Sequence, residues 1–207
     1  MPLTINDDKV WYDEARKLEQ ICLHVSDVSN RGQSLLLLSH FESALGFLSR
    51  VLREKGIEHE RSALNLAELG AGRPAKVWLS HARAFSTAIQ LTSTDEKSSL
   101  DIIVAEHHPM HSRDRELIAS AADLDCDASL TFYFSLDDPL MKYFGSDSIK
   151  TLFQRLGMAQ DECISHPLVS KAIRQAQEKI EQTVGRDLAA QSAEDWFKYN
   201  LPKTKDY

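Results

Sequence analysis

The chain has 207 residues, 43% of them hydrophobic, enough to bury the core of one α/β domain with an appendage. Its 24 basic residues face 31 acidic ones, and the resulting net charge of −7 disfavours holding nucleic acid by counterion release. Three cysteines, Cys22, Cys126 and Cys163, lie far apart without a C-x-x-C pair, which argues against a disulfide framework or a zinc knuckle and suits a reducing, cytoplasmic setting.

The first residues lack a basic stretch followed by an apolar one, and the longest strongly apolar run, Leu35 to Leu38, is too short to span a bilayer. A soluble protein without stable membrane insertion is expected. Asn6 or Asp7 can cap a helix whose apolar residues Trp11, Ala15, Leu18, Cys22 and Val25 recur at helical spacing, ending near Ser29-Asn30-Arg31-Gly32. The short run Ser34-Leu35-Leu36-Leu37-Leu38-Ser39 has the character of a central strand covered on both faces. Glu42 to Lys55 then sets Leu45, Leu48, Val51 and Leu52 on one helical face and stops at Gly56, so strand, helix and glycine open a βαβ unit.

Two further strands are predicted at Lys76 to Ser80 and Ser99 to Ala105, separated by a surface loop over Thr92 to Ser98. Arg113 to Leu124 has helical character, and Leu130 to Ser135 is a strand rich in aromatic and β-branched residues. Strands alternating with helices predict a mostly parallel, doubly wound sheet. From Asp137 the pattern is helical, with short helices through Met141 to Phe144 and Ile149 to Leu156 and a long one from His166 to about Val184. In the long helix Pro167 suits the first turn, and Val169, Ile173, Ala176, Ile180 and Val184 form one apolar stripe. Trp196, Phe197 and Tyr199 are candidate interaction residues, although such a cluster more often packs a terminal helix than binds a partner. The chain therefore divides into an N-terminal amphipathic helix within residues 1–30, an α/β domain over 31–140 and a helical extension over 141–207.

The run Asp137-Asp138-Pro139-Leu140-Met141-Lys142-Tyr143-Phe144-Gly145-Ser146, followed by Arg155-Leu156-Gly157-Met158, Ile164 to Ile173 and Ala176-Gln177, resembles the preprotein translocase ATPase family SecA, where these segments read approximately SLEDELMRRFGS, RLGM, IEHKMVSRAIE and AQ. Upstream, Arg31-Gly32-Gln33 before a strand and Arg53-Glu54-Lys55-Gly56-Ile57 with His59 resemble the KGQPVLV and LLKKRGIPHQ segments of the same domain. The resemblance covers roughly residues 15 to 185 and is weak between Leu64 and Ser99. It implies a RecA-like, helicase C-terminal type domain of the P-loop NTPase superfamily, with the start of the family's scaffold helix running from His166. No Walker A or DEAD-type acidic motif is found in the sequence, and the family's other domains are expected to be absent.

In the SecA family this domain supplies arginines that stabilise charge on the γ-phosphate, within a motif close to QLRGRAGRQGDPG. In the same register those arginines fall on Ile118, Ser120 and Asp123, and the GRGTDI motif falls near Ala84 to Ile89 without its glycines or aspartate. The resemblance thus implies a degenerate, non-catalytic homologue, unless Arg113 or Arg115 takes over the finger role. His107, His108 and His111 are weak further candidates: Pro109 breaks any helical face between His107 and His111, and Glu106 and His108 match the family's ERHES segment, so surface or hinge histidines are favoured over a metal site. Ser39-His40 and Ser80-His81 sit at strand C-terminal ends, the edge where α/β proteins place ligands, without a G-x-S-x-G elbow around either serine. The expected function is a pseudoenzyme acting as a protein-interaction or regulatory module, accessory to protein export, that binds SecA, another secretion component or itself, with no cofactor, metal or nucleic acid. The alternative is one half of a split SecA-like ATPase working in trans; a hydrolase built on the His107 to His111 cluster ranks last.

Overall fold

The computed structural model describes residues 3–61, 74–88, 99–143 and 162–202. Two short strands, β1 (Leu3–Ile5) and β2 (Lys9–Trp11), precede α1 (Glu14–Asn30). There follow β3 (Ser34–Ser39), α2 (Glu42–Glu54), β4 (Val77–His81), α3 (Ala82–Ala88), β5 (Ser99–Val104), α4 (His111–Ala122) and β6 (Asp127–Ser135). Three helices close the described chain: α5 (Pro139–Tyr143), α6 (Pro167–Thr183) and α7 (Ala193–Asn200). The sheet runs in the order β1-β6-β5-β3-β4, with β2 also beside β6, and every ladder between strands is parallel.

The four leucines of β3 show why a continuous apolar run belongs in a parallel sheet. Alternate side chains point to opposite faces, so Leu35 and Leu37 join one core cluster with α1 and α2, while Leu36 and Leu38 join another with α3 and α4. All four are fully buried, each contributing roughly 1.5 to 3 kcal/mol over an exposed position. A third cluster lies beyond the sheet end, where Ile173 and Ile180 of α6 and Trp196 of α7 pack with Val10, Phe134 and Leu140. The expected mostly parallel sheet flanked by helices is therefore the observed architecture.

The helix expected to start at Asn6 or Asp7 starts later. Asp13 is its cap, accepting the Arg16 N–H at 2.8 Å, and Trp11 belongs to β2. Lys9-Val10-Trp11 finds an open parallel edge on β6, and that long-range pairing overrides the local helical spacing. As a result Ala15 faces solvent, and the buried face of α1 is Lys17, Ile21, Cys22, Val25 and Val28. The glycine stops hold: Gly32 and Gly56 follow α1 and α2 with φ of 71° and 70°, the left-handed region that disfavours a Cβ. The long helix also starts as expected, with the His166 ring capping the Leu168 N–H at 3.1 Å and Pro167 in the first turn. The helix expected at Ile149 to Leu156 lies outside the described residues.

Candidate functional site

The C-terminal ends of the parallel strands gather the buried polar groups. β3 ends in Ser39 and leads to His40 and Phe41; β4 ends in Ser80 and His81; β5 leads to Glu106, His107 and His108. β3 and β5 are neighbours, yet their crossovers leave in opposite directions, through α2 on one face and α4 on the other. A crevice outside the strand ends at such a switch point is where open α/β sheets bind ligands.

Asp114, on the first turn of α4 and 2% exposed, is the centre of the network. Its Oδ2 lies 2.7 Å from His107 Nδ1 and accepts the Gln177 amide N–H from α6, while its Oδ1 accepts the His108 backbone N–H at 3.1 Å. His40 Nε2 stands 2.8 Å from Asp114 Oδ1, close enough for charge attraction but without the alignment of a hydrogen bond. On the other side, His107 Nε2 is 3.3 Å from Asp8, and the ring stacks on Phe132 with centroids 4.2 Å apart. Glu106 accepts bonds from the Ser39 hydroxyl and the His40 backbone N–H. Nearby, buried Lys17 donates to Asp138 at 2.7 Å.

Burial opposes charge throughout this region, so each ionised group requires a partner. Burial alone would lower the pKa of His107, but Asp114 and Asp8 push it up to about 10. Burial likewise works against the Asp114 carboxylate, yet His107 and His40 hold it well below the usual carboxylate range. Those two groups form an ion pair. His108 has no carboxylate on its ring, and burial with repulsion from His40 lowers it to about 3, so it is neutral. Burial also lowers His81 and raises Glu106.

A cavity of about 440 Å³ opens over this floor. Phe41, His40 and His108 form its base, α4 contributes Arg113 and Leu117, and the segment after α6 covers it with Asp187, Ala190 and Trp196. That cover is tied down: Arg113 Nε donates to Asp187 at 3.0 Å, the Trp196 indole N–H donates to the same carboxylate at 2.8 Å, and the Ser43 N–H donates to the Gln191 carbonyl.

The residues singled out from sequence fall in three places. Ile118 and Ser120 lie on α4 and Asp123 caps its C-terminus; Ile118 packs against the core, the Ser120 hydroxyl donates to the Glu116 carbonyl, and Asp123 is exposed. Arg113 lines the cavity, paired with Asp187 and Glu116, while Arg115 is exposed on the same helix. His107 and His108, expected at the surface or in a hinge, are instead 7% exposed: Asp114 and Asp8 compensate His107 inside, and His108 is buried as a neutral ring. His111 turns elsewhere, 3.8 Å from Glu178, and among the described residues no acid, histidine and cysteine group is arranged to hold a metal ion. The C-terminal aromatic residues separate too: Trp196 is buried in the third cluster and Phe197 packs against it, leaving Tyr199 exposed. Trp196 is thus a core residue rather than an interaction residue. Sequence reading missed Gln177, Lys17 and Asp8, polar residues whose burial has no local signal.

A parallel sheet wound on both faces, with its polar groups at the strand ends, defines a doubly wound α/β domain. Within that class the SecA P-loop domain matches residues 79–161, and SecA relatives at about 30% identity over most of the chain support a SecA-family domain. The chain is 33% identical over 186 residues to the protein translocase subunit SecA of Chlorobium phaeovibrioides, covering 85% of this chain and 18% of that one. It is 31% identical to SecA of Christiangramia forsetii (87% and 17%) and 30% identical to SecA of Caldicellulosiruptor saccharolyticus (84% and 22%). The chain thus spans about a fifth of the length of the curated relatives it matches. Among solved structures, the C-terminal part of the Fun30 ATPase domain aligns with a TM-score of 0.45 at 12% identity, covering 83% of this chain and 56% of that one. Among the described residues no helix is long and apolar enough to cross a membrane.

Proposed function

We propose that this SecA-family domain, related to the protein-translocation machinery, is a degenerate, non-catalytic module that binds a protein partner and serves protein export as an accessory or regulator. One observation carries the reading: the three positions where the family's arginines fall are a half-buried isoleucine, a serine bonded to its own helix and an exposed aspartate. None can present a guanidinium to a transferring phosphoryl group, and Asp123 would repel it. The charged groups at the strand ends support the same reading, because His107, Asp114 and Glu106 are engaged with one another's neighbours inside the protein. The partner is SecA itself, another secretion component or a second copy of the chain, and the setting is the cytoplasm.

Calorimetry tests this with ADP and a non-hydrolysable ATP analogue, on the chain alone and mixed with SecA from the same cell. The expected result is no heat with nucleotide and clear heat with SecA; tight nucleotide binding by the chain alone reopens an enzymatic role. Arg113, at the cavity wall and partly exposed, favours one second reading, half of an ATPase split between two chains. ATP turnover that appears only on mixing with a Walker-motif partner, and is abolished by Arg113→Ala or Arg115→Ala, is the result that would establish it.

A further inference from the structure

We infer that the cavity between the β3 and β5 ends is a binding site for a small, neutral, planar ligand that carries an amide. Its position is the switch point of the sheet, and its volume of about 440 Å³ is within the usual range for small-molecule pockets. The site would exist whatever protein partner the chain has.

The ligand class follows from the donors and acceptors on the walls. His108 Nδ1 accepts the Met110 backbone N–H at 3.0 Å, which places the proton of the neutral ring on Nε2. Among the described residues nothing accepts that N–H, although His108 is only 7% exposed and lines the cavity. That nitrogen is not one of the sealed unpaired atoms of the fold, so its N–H is open to the cavity, where a ligand carbonyl oxygen can accept it. The ring itself is fixed from both sides, stacked on Phe41 with centroids 5.6 Å apart and edge-on to Trp196 at 5.4 Å. These aromatic walls, with Ala190 beside them, suit a flat apolar body.

Charge then selects among carbonyl compounds. Asp187 and Glu116 sit on the same wall as Arg113 and are paired with it. A carboxylate ligand would approach those two acids, and a cation would approach the Arg113 guanidinium; both would lose hydration without a free counter-charge. A neutral amide avoids both penalties. Its carbonyl accepts from His108 Nε2–H, and its N–H faces carboxylate oxygens that have lone pairs to spare.

Benzamide is the probe, with benzoate and benzamidine as the anionic and cationic analogues of the same shape, titrated into the full chain while the histidine ring nitrogens are followed by ¹H–¹⁵N NMR. The expected result is a saturable shift at His108 Nε2 with benzamide, with weaker binding of both charged analogues. His108→Phe keeps a ring against Phe41 but removes the N–H, and should weaken benzamide about tenfold. Ala190→Leu, which narrows the cavity without touching the network, should weaken it too, and so guards against a His108 variant that fails to fold. The inference is overturned by no saturable shift up to the solubility limit of benzamide, by equal binding of benzoate, or by undiminished binding in Ala190→Leu.

Discussion

Asp114 holds three elements through one carboxylate: the loop after β5 through His107 and the His108 N–H, α6 through Gln177, and its own helix by position. A buried ion pair adds little over an apolar pair of equal volume, but removing one partner strands the other charge in a low-dielectric interior. Asp114→Asn keeps the size and loses the charge, leaving His107 with only Asp8 at 3.3 Å. It should destabilise the fold by about 3 to 5 kcal/mol, read as a lower urea midpoint at unchanged slope. Gln177→Leu is a milder test, because Asp114 keeps His107. It leaves the His108 carbonyl without its side-chain donor and should cost about 1 to 3 kcal/mol by the same measurement. An effect of Asp114→Asn no larger than that of Gln177→Leu would mean that the network is held by neutral hydrogen bonds rather than by charge.

The helix α6 joins the sheet through a narrow apolar stripe, Ile173 and Ile180 buried with Val169 and Val184 at its margins, and through Gln177 between them. Ile180→Ala removes three carbons from the third cluster and should cost about 2 to 5 kcal/mol, concentrated at this end of the molecule. Hydrogen exchange should therefore quicken in α6 and α7 while the amides of β3 and β5 stay protected; uniform quickening would show that the C-terminal helices and the sheet unfold as one unit. This stripe was legible in the sequence, because a 3.6-residue period over 17 residues is a strong signal, and so was β3, whose short leucine run reads as a central strand although leucine alone does not exclude a helix. What was not legible is what long-range pairing decides. Lys9-Val10-Trp11 reads as the start of a helix until the free edge of β6 is known, and nothing local marks Gln177 for burial, since His108 and Asp114 come to it from distant parts of the chain. The strand-end position of His40 and His81 could be read from local pattern, whereas the burial of His107 could not, since its two acids lie 7 residues downstream and about 100 residues upstream, at Asp114 and Asp8.

Across the whole molecule the buried histidines set how stability depends on pH. His107 titrates near 10 in the folded chain against 6.5 ordinarily, so the folded state binds the extra proton between those values. Its contribution is complete below pH 6.5 and is lost as pH rises toward 10. His108, held near 3, behaves oppositely: the unfolded chain takes up a proton that the folded chain refuses, so stability falls as pH drops from 6.5 toward 3. Asp114, held below the carboxylate range, adds to the acid loss once the unfolded carboxyl begins to protonate. Glu106, raised by burial, works against that loss, because its protonated form is the better tolerated one inside. His108 and Asp114, joined by His81, Asp101 and Asp187 whose folded pKa values are also lowered, therefore weaken the fold in acid and Glu106 offsets them, while His107 weakens it in base. Urea midpoints measured from pH 4 to pH 10 should peak near pH 6 to 7 and decline on both sides. His107→Gln, a neutral side chain of similar reach, should lower the peak and flatten the alkaline arm above pH 7, and His108→Gln should flatten the acid arm alone. An alkaline decline that persists unchanged in His107→Gln would place its origin in other groups and remove the charged His107–Asp114 pair as the element that ties the strand ends to α4.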